Sequence, residues 1–318
     1  MRFTIRIAGT AFAAVLVAAC SAGASPSPTP TETTAPSIAP SASVEVAPSP
    51  TADACAKDSL TLVSAGKLTL GTDNPAYSPY FLPRDGGNKP PWDTEFSGDP
   101  TTGTGFESAI AYAVADKLGF TKDEVAWTPV KFDTSYAPGP KSFDFYLAQV
   151  SYKPERAQAA DLSDGYYFLN QSLVAVGGTP IAAAKSIADL ASYQFGAQAG
   201  TTSYDTIVNV IKPTKEPRVY DSNDAAITAL NNKQIDGLVV DLPTAFYVTA
   251  AQMDNGVIVG QFPPTGGEQE HFSLVLARGS ALTACVNGAL AAMKADGSLG
   301  AITKEWMSDK ASAPVIEP

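Results

Sequence analysis

The chain has 318 residues, enough for two ordinary domains, and its 45% hydrophobic and 17% charged content describes a globular protein. A formal charge of −11 argues against a nucleic-acid partner, which selects for a basic face. One histidine in the whole chain leaves little room for histidine-rich metal sites or His-based catalytic triads, so no metal or cofactor is expected.

Residues 1–20 read as an export signal. Arg2 and Arg6 precede the apolar run "IAGTAFAAVLVAA", which is too short for a membrane span. The run ends in Leu16-Val17-Ala18-Ala19-Cys20, which resembles a lipoprotein processing site, and Cys20 is the expected acylated residue. A plain secretory peptide with an incidental cysteine is the alternative. Without the leader the chain carries 19 basic against 32 acidic residues. Residues 21–54 are Ser, Thr, Pro and Ala with almost no charge, a composition that cannot bury enough apolar surface to order itself, and are expected to form an extended tether. With Cys20 set aside, Cys55 and Cys285 remain. An even remainder in an exported chain points to a disulfide, with two buried thiols as the alternative.

In the folded part, "KLTLGTD" predicts a strand entering a turn, and residues 83–104 read as loop. From Phe106, apolar residues at Ile110, Val114 and Leu118 predict a helix that Gly119 stops. "EVAWTPVKF" predicts a strand, and "SFDFYLAQVSY" a short helix or turn feeding another. "QSLVAVGG" is a further strand. Two strand–turn–helix units follow, "QFGAQAGTTSYDTIVNVI" and "IDGLVVDLPTAFYVTAAQ", the second preceded by a helix from "SNDAAITALNN". "HFSLVLARGS" predicts one more strand, and a final helix breaks at Asp296-Gly297 before a second. Strands and helices alternate, so the expected class is α/β with largely parallel sheets.

Three stretches carry candidate chemistry. In "GAQAGTTSYD" the small residues before Thr202 leave backbone N–H groups open at a helix start, which favours an anion; a simple helix cap reads equally well. Asp241 follows an apolar strand at a carboxyl edge, where it can hold an ammonium group or cap the next helix. In "SYKPER", Arg156 is either a solvated charge or an anchor for a carboxylate, which its fork matches in bidentate geometry.

Six motifs in order resemble the bacterial extracellular solute-binding proteins of family 3: "GTDNPAYSPYF", "GFESAIAYAVADKLGF", "SFDFYLAQVSYKPERAQAADLSDGYY", "DLASYQFGAQAGTTSYD", "ALNNKQIDGLVVDLPTA" and "ADGSLGAITKEW". The resemblance implies a two-lobe fold of the periplasmic-binding-protein type II, with hinge crossings near residues 168–171 and 261–267. Lobe 1 would comprise residues 55–168 and 264–318, and lobe 2 residues 169–263. It also implies capture of a small amino acid between closing lobes and delivery to an ABC permease in the membrane, by a monomer held to the outer face of the cytoplasmic membrane by its lipid. By position, Arg156 would bind the ligand α-carboxylate with Thr202 and Ser151. Asp241 would take the α-ammonium, Tyr77 would cover the ligand, and Gln149 and Gln198 would add contacts. The family's second acid at the first helix is Ala109 here, and Trp92 and Phe96 lie in a long loop that either folds over the ligand or patches the surface. A dehydratase-like enzyme on the same fold, or a sensor read by a separate membrane receptor, are the alternatives.

Overall fold

The computed structural model describes residues 52–263, 269–307 and 313–317. The leader, Cys20 and nearly all of the expected tether lie outside the described residues. Chain order begins with β1 (Leu68–Thr72), α1 (Phe106–Lys117), β2 (Val125–Pro129), the one-turn α2 (Phe132–Ser135) and β3 (Phe145–Tyr146), and continues with α3 (Pro154–Ala159), β4 (Asp161–Leu162) and β5 (Tyr167–Phe168). Next come β6 (Gln171–Val176), β7 (Phe195–Gln198), α4 (Thr202–Thr206), β8 (Arg218–Tyr220), α5 (Asn223–Asn231), β9 (Gly237–Asp241), α6 (Leu242–Tyr247) and β10 (Gly256–Gln261). The described chain closes with β11 (His271–Phe272), β12 (Val275–Leu276), α7 (Leu282–Ala295) and α8 (Ser298–Met307). Both α4 and α6 run on into a π-helical turn.

The strands form two five-stranded sheets, one in the order β2-β1-β3-β12-β4 and the other β10-β6-β9-β7-β8, joined by a two-stranded ribbon of β5 and β11. These are the two lobes of a type II binding-protein fold, and the ribbon's flanks are its two hinge crossings. Each sheet has its own core. Leu68, Leu70, Phe81, Phe106, Ile110 and Phe145 are fully buried in the first lobe, and Leu173, Phe195, Ile207 and Val239 in the second. A fully buried side chain of this kind is worth roughly 1.5–3 kcal/mol, which is what holds the strand ends at fixed positions.

Helix α1 starts at Phe106 and puts Ile110 and Val114 into the core, and Gly119, at φ +84°, follows its end as the spacing predicts. The Ser222 side chain caps α5 through the Ala225 N–H. The sheets depart from the largely parallel expectation. Pairs β1–β2, β1–β3, β7–β8 and β7–β9 are parallel, but β6 and β10 pair antiparallel, β6 also pairs antiparallel with β9, and β12 is antiparallel to both β3 and β4. Strands β6 and β12 enter their sheets from the crossings, with no helix wrapping over the sheet to impose parallel pairing. For the same reason "HFSLVLARGS" is two short strands, one in the ribbon and one in the first lobe's sheet. The "SFDFYLAQVSY" stretch forms strand β3 without a helix.

Cys55 and Cys285 are joined as a disulfide, tying the start of the described chain to α7 with Cα atoms 5.4 Å apart. The C-terminal segment differs from the assignment of residues 264–318 to lobe 1. After α8, residues 313–317 lie on lobe 2: Gln261 donates to the Pro314 carbonyl, Ile316 donates to Gln261, and the Ile316 side chain is buried in the second lobe's core. Strand β10 is an edge strand with open backbone groups, and this segment covers them.

Candidate ligand-binding cleft

Strand ends from both lobes converge on one cavity, as the geometry of open α/β sheets favours. Strand β1 delivers Thr72 and Asp73, the loop before α3 delivers Gln149 and Ser151, and α3 delivers Arg156. From the second lobe come Gln198 at the end of β7, Thr201 and Thr202 at the start of α4, and Asp241 at the end of β9. With Tyr77, these residues line about 600 Å³ of space, part of it open to solvent. All seven residues named from the sequence (Tyr77, Gln149, Ser151, Arg156, Gln198, Thr202 and Asp241) border this cavity. Trp92 and Phe96 do not border it: Trp92 packs into the first lobe's core and Phe96 faces solvent.

Arg156 is only 4% exposed, so the solvated-charge reading fails. Its guanidinium lies over the Tyr136 ring at 4.6 Å and the Phe132 ring at 5.3 Å. One terminal nitrogen donates to the Ser151 carbonyl at 2.5 Å and the other to the Gly200 carbonyl at 2.8 Å, so it bonds both lobes. Among the described residues no carboxylate forms an ion pair with it, and its Nε is buried without a partner. Burial lowers its pKa, yet a guanidinium starts so high that it stays charged. Among the described residues, Thr72 Oγ1, on the same cavity, is also buried without a hydrogen-bond partner.

At α4 the two readings separate onto neighbouring residues. Thr201 is the cap, its hydroxyl accepting from the Tyr204 N–H, which leaves the Thr202 hydroxyl to face Ser151 Oγ at 3.5 Å. Gly200 just before it has φ +72°, and a Cβ there would sit 2.7 Å from the Tyr136 hydroxyl, so the close approach to Arg156 requires glycine. Asp241 occupies the cap position of α6 but makes no capping bond. It accepts instead from Gln171 Nε2 at 2.6 Å. Gln171 Nε2 also reaches Glu270, at 3.1 and 3.2 Å to its two oxygens, and its oxygen accepts from Ser203. Burial, then the Glu270 charge, hold the Asp241 carboxyl well above the usual range, opposed by the Gln171 bond and Arg156. Asp73 is likewise raised, chiefly by burial.

The lobes touch around this cavity. Tyr80 and Thr244 meet at 3.0 Å between hydroxyls, and Lys153 pairs with Asp205. Sequence reasoning missed Asp73, Gln171 and Glu270. Asp73 follows a buried strand just as Asp241 terminates one, so the same carboxyl-edge rule finds it. Gln171 begins the strand after the first crossing and Glu270 precedes β11, and neither carries a local signal. Among the described residues, no group of three or more His, Cys, Asp or Glu side chains is placed to hold a metal ion.

A two-lobe frame with polar strand ends meeting across a cleft is a binding geometry, and residues 86–309 match the sequence profile of the Bacterial extracellular solute-binding proteins, family 3. The chain belongs to this family. Among its relatives, the L-cystine-binding protein TcyJ of Escherichia coli (strain K12) is 28% identical over 223 residues, 69% of this chain and 79% of the relative. Among solved structures, an ancestral arginine-binding protein bound to arginine is 27% identical, with a TM-score of 0.60 over 76% of this chain and 98% of its own. The ancestral amino acid-binding protein AncCDT-1, a precursor of cyclohexadienyl dehydratase, is 26% identical, with a TM-score of 0.58 over 76% of this chain and 95% of its own.

Proposed function

We propose that this solute-binding protein captures an amino acid in the cleft and delivers it to an ABC permease. The observation that carries the reading is Arg156: a buried guanidinium, fixed over two rings and without a carboxylate partner among the described residues, on a cavity that Asp241 borders from the other lobe. An α-carboxylate would take Arg156 with Thr202 and Ser151, and an α-ammonium would take Asp241, with Tyr77, Gln149 and Gln198 closing around the rest. Because the two charges sit on different lobes, one zwitterion bridges them only in the closed state, and so shifts the population toward it. The names of relatives, which cover cystine, histidine, arginine and glutamine, support an amino acid as the ligand class.

Charge balance narrows that class. Once a zwitterion has met Arg156 and Asp241, Asp73 remains on the cavity wall, half-buried and without an ion-pair partner among the described residues. A ligand with a cationic side chain answers that charge. Acylation of Cys20 and the tether at residues 21–54 would hold the protein at the outer face of the cytoplasmic membrane, raising its concentration near the permease. The domain division proposed is residues 55–168 with 269–307 as lobe 1, and residues 169–263 with residues 313–317 as lobe 2.

The test is calorimetry of the protein carrying Cys20→Ser against L-arginine, L-glutamine, L-glutamate and L-cystine, repeated on Arg156→Ala. Micromolar binding of L-arginine, lost in the variant, is the expected result; binding of none of the four by folded protein overturns it. The enzyme reading rests on the raised Asp241 carboxyl, which general acid–base chemistry would also use, and product formation from a cyclic acid would favour it.

A further inference from the structure

We infer that Glu107 is a positioning residue of the cleft: its carboxylate holds Gln149 in a left-handed backbone conformation and thereby sets the 148–151 segment against Arg156. The inference rests on the ligand reading above, but one arm of its test does not.

Glu107 is fully buried at the start of α1 and does not border the cavity. The helix N-terminus favours its negative charge, yet no cation pairs with it among the described residues. Its two oxygens take three hydrogen bonds. Oε1 accepts from the Gln149 N–H at 2.7 Å and from the Tyr166 hydroxyl at 2.5 Å, and Oε2 accepts from Gln149 Nε2 at 2.5 Å. Gln149 has φ +53°, a left-handed region that non-glycine residues rarely adopt, so something must hold it there. The two bonds to Glu107 do so. Two residues on, Ser151 pairs with Phe272, and its carbonyl accepts from Arg156. The chain of contacts thus runs from Glu107 through Gln149 and Ser151 to the guanidinium. On its other side Tyr166 stands just before β5 and the first crossing, so the same carboxylate ties the ligand-facing segment to the hinge.

Backbone N–H and amide N–H groups can only donate, so the arrangement favours the ionised carboxylate; protonating either oxygen weakens the bond that it accepts from Gln149. Burial lifts the Glu107 pKa to about 7, against the pull of these three donors. The titratable groups facing it are the phenols of Tyr80, Tyr146 and Tyr166 and the Asp241 carboxyl. The clamp therefore tightens as pH rises through neutrality.

The test begins without ligand, on the full mature chain carrying Cys20→Ser, by following the Gln149 amide in nitrogen–proton spectra from pH 5.5 to 8.5. The expected midpoint is near 7, absent in Glu107→Gln and moved upward in Tyr166→Phe, which removes one donor with little change of shape. The second arm measures the Kd for L-arginine at pH 6 and 8. The wild type should bind more tightly at pH 8, and Glu107→Gln should be about tenfold weaker there, the scale of one charge-assisted bond, with most of its pH dependence gone. Glu107→Asp should recover part of both. A merely structural role would lower the melting temperature and leave the pH profile intact. The inference is overturned if the Gln149 amide does not titrate in the wild type, or if Glu107→Gln binds L-arginine with the wild-type affinity and pH profile. Should the wild type not bind L-arginine, the ligand reading fails, and the amide titration and its response to Tyr166→Phe still decide whether Glu107 holds Gln149.

Discussion

Asp241→Asn should weaken binding and stabilise the ligand-free protein at the same time. The amide keeps the shape of the carboxylate and its oxygen still accepts from Gln171, which donates at 2.6 Å in the wild type. What disappears is a half-buried negative charge close to a second one, Glu270. A charge-assisted bond to a ligand ammonium is worth about 1.5–3 kcal/mol, so affinity should fall about 10- to 150-fold. In the ligand-free state the same charge is a cost, because burial and Glu270 raise the folded pKa above the unfolded one. For lobes of this size each kcal/mol of that relief raises the melting temperature by roughly 2–4 °C. The sign follows from the raised pKa: stability is undiminished below the unfolded value near 3.9 and is lost as pH rises toward the folded value. Scanning calorimetry should therefore show Asp241→Asn and wild type melting together near pH 4 and the variant melting higher at pH 8. A variant that melts lower than wild type at pH 8, without ligand, would refute the reasoning.

Reducing the Cys55–Cys285 bridge opens a loop of 230 residues, and the chain-entropy scale for so long a loop puts the loss at about 5.5 kcal/mol; a melting curve unchanged after reduction, verified by mass spectrometry, would contradict it. Asp205→Asn removes a partly exposed ion pair with Lys153 and should weaken ligand binding only a few-fold, an effect expected to vanish by 0.5 M salt in calorimetry. Ile316→Ala should lower unfolding free energy by about 2–5 kcal/mol in urea titration, since that side chain is buried against lobe 2. Phe96→Ala should leave the Kd within twofold, because the ring faces solvent and not the cavity.

The sequence made some features legible because they are local. The α1 helix could be read from a 3.6-residue apolar stripe and a terminal glycine, and the ends of β7 and β9 from apolar runs that stop at a polar residue. Arg156 was undecided by composition, because burial depends on Phe132 and Tyr136 closing over it from another segment. The disulfide was readable from counting cysteines. The antiparallel entry of β6 and β12 was not, since strand direction depends on which lobe a segment comes from. The seat of residues 313–317 on lobe 2 escaped for a similar reason: "PVIEP" carries one buried side chain, and only the open edge of β10 explains where it goes. Gln171 reaches Asp241 and Glu270 through side-chain bonds that span 70 and 99 residues of sequence, and no short window contains them.

A buried guanidinium on one lobe and a half-buried carboxyl on the other border the same cavity without pairing directly. Arg156 spends its terminal donors on backbone carbonyls, and Asp241 spends its acceptor on Gln171. Had they paired directly, closure would satisfy both and a ligand would add little. Kept apart, each remains a desolvated charge whose cost a partner of the opposite sign removes. A molecule carrying both signs at the spacing of a zwitterion relieves both costs at once, and only when the lobes are together. A ligand with one charge relieves one cost and leaves the other. On the proposed reading, discrimination between amino acids and simple carboxylic acids or amines is therefore set by the same separation of charges that makes closure depend on the ligand.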